Sequence, residues 1–366
     1  MAGSVVALKH MPKRVAVKPA PAQRAAVLMA LLVTAVGCGA SGSATAEPDV
    51  VYQPYTYLDL DRPDAPGEAV LVADPHVIEV DHRWYLYGTS SSDGFECWSS
   101  ADLATWRYEG LVWRPLRGSW NDEGNFWAPH VQAMNDGYYL YYTANYRIGV
   151  AFASSPTGPF EELRDGPFVG HGAGGVGDGK LPFAGTDLAF LDFDEFAIDA
   201  AVYEGHDGSL TFYFSRNRPW SVIQAIPMLD PMTLADVPPT TLLDGRLFTW
   251  ESTTREGPFL IEHQGEIHLM YSGGLYFLPN YAIGDSVGTD PLGPFERRTD
   301  NPILASTPSG ELIGPGHHSV VAGAHDDLLM FFHTKLTADS SGDRRVRYVP
   351  ISFDADGRIQ LDVPPP

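Results

Sequence analysis

Cysteine and positive charge are the two things this chain of 366 residues has least of. Its 2 cysteines, Cys38 and Cys97, cannot build the disulfide framework that staples small exported domains, so the fold must rest on its core. Lys and Arg number 24 against 46 Asp and Glu, a formal net charge of −22. That balance argues against nucleic acid and anionic membrane surfaces, which are held through basic patches. Helical periodicity is almost absent. The one long apolar run, AAVLMALLVTAVG ahead of Cys38, is too short to span a bilayer.

That run has its own reading. Lys9, Lys13, Arg14, Lys18 and Arg24 precede it, and a charged lead-in, a short apolar stretch and small residues make a secretory signal. Ala35, Val36 and Gly37 before Cys38 resemble a bacterial lipoprotein box, whose cysteine carries the lipid, although the usual leucine three residues earlier is missing. Plain secretion with cleavage nearby, after Ala46 for instance, is the alternative. The expected organisation is a signal over 1–37, a flexible tether over 38–50 and a catalytic body over 51–366. The protein is then exported, as a cell-envelope lipoprotein or a secreted one, with any membrane contact made only through the N-terminal anchor.

The body is rich in aromatics, at 12%, and in turn formers, with 37 Gly and 30 Pro. Short alternating runs between Gly, Pro, Asp and Asn clusters point to an all-β fold. Five segments look alike: ADPHVIEVDHRWYLYGTS, WAPHVQAMNDGYYLYYTA, IDAAVYEGHDGSLTFYFS, EGPFLIEHQGEIHLMYSG and GHHSVVAGAHDDLLMFFH. Each is an apolar strand, a tight polar turn and an aromatic strand. They recur at roughly 54 to 71 residues, which suits four-stranded blades with insertions and predicts a five-bladed β-propeller. Aligning the turns at Arg83, Gly137, Gly208, Gly265 and Asp326 and counting back nine residues reaches Asp74, Ala128, Asp199, Glu256 and His317. In a propeller those positions ring one mouth of the central channel.

Carboxylates crowded at a poorly solvated mouth cannot all ionise, and like charges raise the pKa of at least one. A protonated glutamic acid beside an ionised aspartate is the pair that glycoside hydrolysis needs. Aromatic side chains would supply platforms for sugar rings. Trp127, one residue before the channel position of its unit, fits either such a platform or the core.

In order and spacing, Asp74-Pro75 before HVIEVDHRWYLYGTS, DLATW, FWAPHV before DGYYLYYTA, SSPTGPF, Ile198-Asp199, Glu256-Gly257-Pro258 and GPGHHSVV resemble glycoside hydrolase family 43, over roughly residues 68–362. The resemblance implies a five-bladed propeller and an inverting hydrolase. In it Asp74 is the general base, Glu256 the general acid, and Asp199 tunes and orients the acid. An inverting mechanism would place base and acid carboxyls roughly 6.5–9.5 Å apart. It also makes Phe95 an aromatic bordering the sugar. His317 matches a histidine that in some members approaches a calcium or sodium ion in the central channel, often through waters; no cofactor is otherwise required.

The chain departs from the pattern at Ala200, where proline is common, at His130, where glutamate is usual, and at His318, where asparagine is usual. The two histidines bear on substrate preference rather than on reaction class. Glu96-Cys97 resembles a pair found in fructan-cleaving propellers, but it lies in the wrong blade and reads as structural or solvent-facing. The glycine-rich 170–180 lacks the ending of a phosphate loop and reads as a loop at the active face. The expected partner is an oligosaccharide or polysaccharide of plant-type pentoses: α-L-arabinofuranosides, β-xylosides or arabinan. The alternatives are a non-catalytic sugar-binding propeller, or a propeller hydrolase for galactosides or fructans.

Overall fold

Five antiparallel sheets, with no helix among the described residues, succeed one another along the chain. The computed structural model describes residues 50–361, except 123, 135, 171–196, 219, 247, 326 and 341 and the side chains of 217 and 218. The signal segment, Cys38, most of the 170–180 loop and the turn residue Asp326 therefore lie outside it.

Each sheet is a blade. The innermost strands are Ala73–Val80, Trp127–Met134, Ala197–Glu204, Arg255–His263 and Gly316–Ala322. Each forms a hairpin with a second strand, respectively Arg83–Thr89, Gly137–Ala144, Leu210–Arg218, Glu266–Gly273 and Leu328–Lys335. Apolar faces of neighbouring sheets pack on each other, so the core lies between blades. Trp98 and Trp106 of the first blade, for example, share a cluster with Phe331 and Tyr348 of the fifth.

One device repeats at the head of every inner strand. Asp74, Ala128, Asp199, Gly257 and His317 adopt left-handed φ, between 42° and 58°, and each sits at a register shift against its second strand. Such bulges re-aim side chains and free a backbone N–H from the ladder. Four of these N–H groups cross to the preceding blade's second strand: Ala128 to Thr89 Oγ1 (2.9 Å), Asp199 to Thr143 Oγ1 (3.2 Å), His317 to Ser272 Oγ (2.8 Å) and Asp74 to His333 Nδ1 (3.0 Å).

The bulges correct the counted frame. Gly257, not Glu256, occupies the position of Asp74, and Glu256 stands one residue earlier, opposite Ser272, where Ala73 stands opposite Thr89. The cause is the hairpin: Gly137 opens its second strand, whereas Gly265 lies inside the turn joining His263 to Glu266. The two glycines resemble each other in sequence but do different backbone work.

The ring closes without a shared strand. Residues 53–58 run along the third strand of blade 5, with Tyr55 N–H to Tyr348 O (2.9 Å) and Leu58 N–H to Val346 O (3.0 Å). Asp59–Leu60 then pair in parallel with the outer strand of blade 1. Leu58 is buried in the cluster between these blades. Leu58→Ala should therefore cost about 2–5 kcal/mol of stability, read as a lowered urea midpoint.

Candidate active site

Asp74 and Asp199 reach the mouth because a left-handed residue turns each strand head inward, a conformation Asp tolerates better than most residues. Asp74 is buried. Its Oδ2 accepts from Thr89 Oγ1 (2.7 Å), and its Oδ1 lies 3.2 Å from Arg344 Nη1 and 3.5 Å from His317 Nδ1. Burial alone would raise its pKa, but the Arg344 guanidinium and the Thr89 hydroxyl overcome that and hold it well below the usual carboxylate range. His333 Nδ1 already accepts the Asp74 N–H, and burial and Arg344 keep this imidazole neutral. Arg344 is therefore the cation that keeps Asp74 ionised.

Asp199 and Glu256 behave oppositely. Burial, the Glu256 carboxyl and Asp74 push Asp199 well up, against the Gly257 N–H that its Oδ2 accepts at 3.0 Å. Burial raises half-buried Glu256 to about 7, with Asp74 adding and the Tyr281 hydroxyl and Arg344 opposing. Tyr281 donates to Glu256 Oε1 at 2.7 Å, which leaves Oε2 for a proton. The pair keeps a proton near neutral pH because two such close carboxylates cannot both ionise. The Gly257 N–H favours charge on Asp199, as the Tyr281 hydroxyl does on Glu256. One ionised carboxylate facing a protonated one is the equipment of acid and base catalysis on a glycosidic bond.

The family model for glycosyl hydrolases family 43 matches residues 65–359. The chain belongs to this family. It is an inverting glycoside hydrolase, as family 43 enzymes are. A β-D-galactofuranosidase of Aspergillus niger is 24% identical over 78% of this chain and 81% of its own. An extracellular exo-α-(1→5)-L-arabinofuranosidase of Streptomyces avermitilis is 22% identical over 93% and 69%. Among solved structures, a thermostable family-43 glycoside hydrolase superposes with TM-score 0.68 at 29% identity, covering 80% of this chain and 93% of that one.

Around this family 43 site the other expected residues divide. Trp127 is half-buried and, with Thr89, Asn125 and Arg344, lines a cavity of ≈ 370 Å³ beside Asp74. Tyr146 meets it edge-on at 5.1 Å. Phe95 does not border this opening: it is fully buried against Trp113, Phe126 and Tyr142, so it is a core residue. Glu96 is structural, as expected, but buried rather than solvent-facing, with Arg62 at 2.9 Å and the hydroxyls of Ser90 and Tyr108 donating to it. Cys97 is a buried free thiol.

His130 and His318 lie one layer below the carboxylates, with His76 and Phe259. The His76 and His130 rings are 4.2 Å apart, and Phe259 lies 6.2 Å from His318. His130 Nε2 accepts the Val202 N–H at 3.2 Å, so its place is in the channel wall rather than against a sugar. Burial pushes His76 down to about 4 and His318 to about 3, leaving both neutral.

His317 faces carboxylates rather than a cation cage. Its Nδ1 is 3.5 Å from Asp74 and 4.0 Å from Asp199, and a Cβ on Gly257 would come within 3.1 Å of it. Among the described residues no three His, Cys, Asp or Glu are grouped to hold a metal. The described residues here do not fit a directly ligated ion.

Arg344, Tyr281, His333 and Thr89 escaped the sequence reading. Each lies outside the repeated strand heads, and Arg344 is hidden in the run Arg344-Arg345-Val346-Arg347 at the start of the third strand of blade 5. Asp199 and Glu256 share a proton near neutral pH, so Asp199→Asn should lower the Glu256 pKa. The alkaline limb of the kcat/KM profile, near pH 7 in the wild type, should move to lower pH; an unmoved limb would place the shared proton on Asp199.

Proposed function

We propose that this family 43 enzyme is exported and hydrolyses pentose-containing glycans, with α-L-arabinofuranosides, β-xylosides or arabinan as substrates. The supporting observation is the split between Asp74, held ionised by Arg344 and Thr89, and Glu256, held protonated beside Asp199. Asp74 takes a proton from a water whose oxygen bonds to the anomeric carbon. The C–O bond to the leaving group breaks, and that oxygen takes the proton of Glu256. Asp199 holds the acid in its protonated form through charge and fixes the adjoining Gly257 peptide.

Likeness to a β-D-galactofuranosidase supports a second reading, a galactofuranoside substrate. An aryl-glycoside panel of α-L-arabinofuranoside, β-D-xyloside and β-D-galactofuranoside separates the two, with NMR reporting the anomer first released. Glu256→Gln should lower kcat on the preferred unactivated glycoside by about 10²–10⁴-fold. Undiminished turnover by this variant would remove Glu256 from the chemistry.

Export rests on the basic lead-in, the apolar run and Cys38. The carbonyl of Val50 accepts from His325 Nε2 at 2.9 Å in the loop after Ala322, at the hairpin end of blade 5 away from the mouth. Cys38→Ser should release the protein from the cell envelope, read by fractionation; unchanged membrane association would rule out lipid at this residue.

A further inference from the structure

Arg255 immediately precedes Glu256 in the inner strand and serves the interior of the blade rather than the mouth. It is fully buried. Its Nε meets Glu251 Oε2 at 2.8 Å, its Nη2 donates to Ser252 O at 2.6 Å, and its Nη1 donates to Ser221 O at 3.3 Å. Glu251, equally buried, also accepts from Arg297 Nε and from the Tyr271 hydroxyl, both at 2.7 Å. Burial would raise the Glu251 pKa, but these partners bring it below its usual value. An ionic chain thus runs from Arg297 in the outer strand of blade 4, through Glu251, to the residue beside the proton donor.

Its attachment to Glu256 is specific. The Arg255 carbonyl accepts from Ser221 Oγ at 2.6 Å, and that carbonyl belongs to the peptide leading into Glu256. The Glu251 backbone carbonyl meanwhile takes the N–H of Thr254 (3.1 Å) and of Gly274 (2.9 Å). The segment before Glu256 is therefore tied to blade 3 and to two strands of blade 4. Stability alone does not call for such a chain, since apolar residues of similar volume often replace a buried ionic triad without loss. A proton donor does call for it, because misplacement by about 1 Å can cost on the order of 10²-fold in rate.

We propose that Arg255, Glu251 and Arg297 are positioning residues that hold the Glu256 carboxyl where it meets the leaving oxygen. This rests on Glu256 being the proton donor. They act through the backbone, so their loss slows protonation of the leaving group and leaves sugar binding in place.

The test compares two glycosides of the sugar selected by the panel: an alkyl glycoside, whose leaving alcohol needs a proton, and a dinitrophenyl glycoside, whose leaving group departs without one. In R255M, E251Q and R297M, kcat on the alkyl glycoside should fall on the order of 10–100-fold. On the dinitrophenyl glycoside it should fall less than about threefold, with KM little changed and the alkaline limb of the pH profile displaced. The triple variant R255M/E251L/R297M, which removes all three charges of the chain, should recover thermal stability relative to the single variants yet keep the alkyl-glycoside deficit. Equal slowing of both substrates with an unmoved pH profile would overturn the proposal, as would full recovery of kcat in the triple variant. If Glu256→Gln itself slows both substrates equally, the proton-donor reading fails, and this proposal with it; that result is distinguishable because it appears with the ionic chain intact.

Discussion

The structure depends on a backbone N–H that cannot remain in its own sheet. At the head of every inner strand a left-handed residue breaks the ladder, and a buried N–H without a partner would cost about 1–3 kcal/mol. Thr89, Thr143, Ser272 and His333 each accept such an N–H from the next blade. Four polar side chains therefore set how neighbouring blades stand around the channel. The same bulges turn Asp74 and Asp199 toward its mouth.

At the remaining junction the pattern changes. Ser215 occupies the corresponding place opposite Ile198, but the Gly257 N–H goes to the Asp199 carboxylate instead. Among the described residues the buried Ser215 hydroxyl has no hydrogen-bond partner. A junction that elsewhere serves only packing has here been given to a charged group, and that group adjoins Glu256. Structural and catalytic demands meet in one hydrogen bond, which fixes the Gly257 peptide and favours negative charge on Asp199. The positive charge at Arg344 and the neutral ring of His333 complete the asymmetry between the base and the acid.

Much of this was legible from five hairpin repeats. A hairpin is local, and its period-two alternation and turn residues can be counted along the chain, so the blade number and the convergence of Asp74, Asp199 and Glu256 followed. The offset of Glu256 by one residue was not legible, because a glycine inside a turn and a glycine after one look the same in sequence. Phe95 follows a strand pattern shared by exposed and buried aromatics alike; Trp113, Phe126 and Tyr142 close over it from elsewhere in the chain. His130 and His318 were placed on the correct strands but at the wrong depth, one layer down the channel wall.

By itself the sequence determined the all-β class, the five-fold repeat, the acidic mouth and the kind of reaction such a mouth can perform. These follow from strand periodicity, turn chemistry and like-charge repulsion, all of which act between residues a repeat places at equivalent positions. Tertiary structure alone decided the protonation pattern. The Asp74 charge depends on Arg344, 270 residues away, and the Glu256 carboxyl depends on Tyr281 in a loop outside the repeat. Interactions of that kind act through space at a few ångströms, and no period along the chain encodes which distant side chain will arrive.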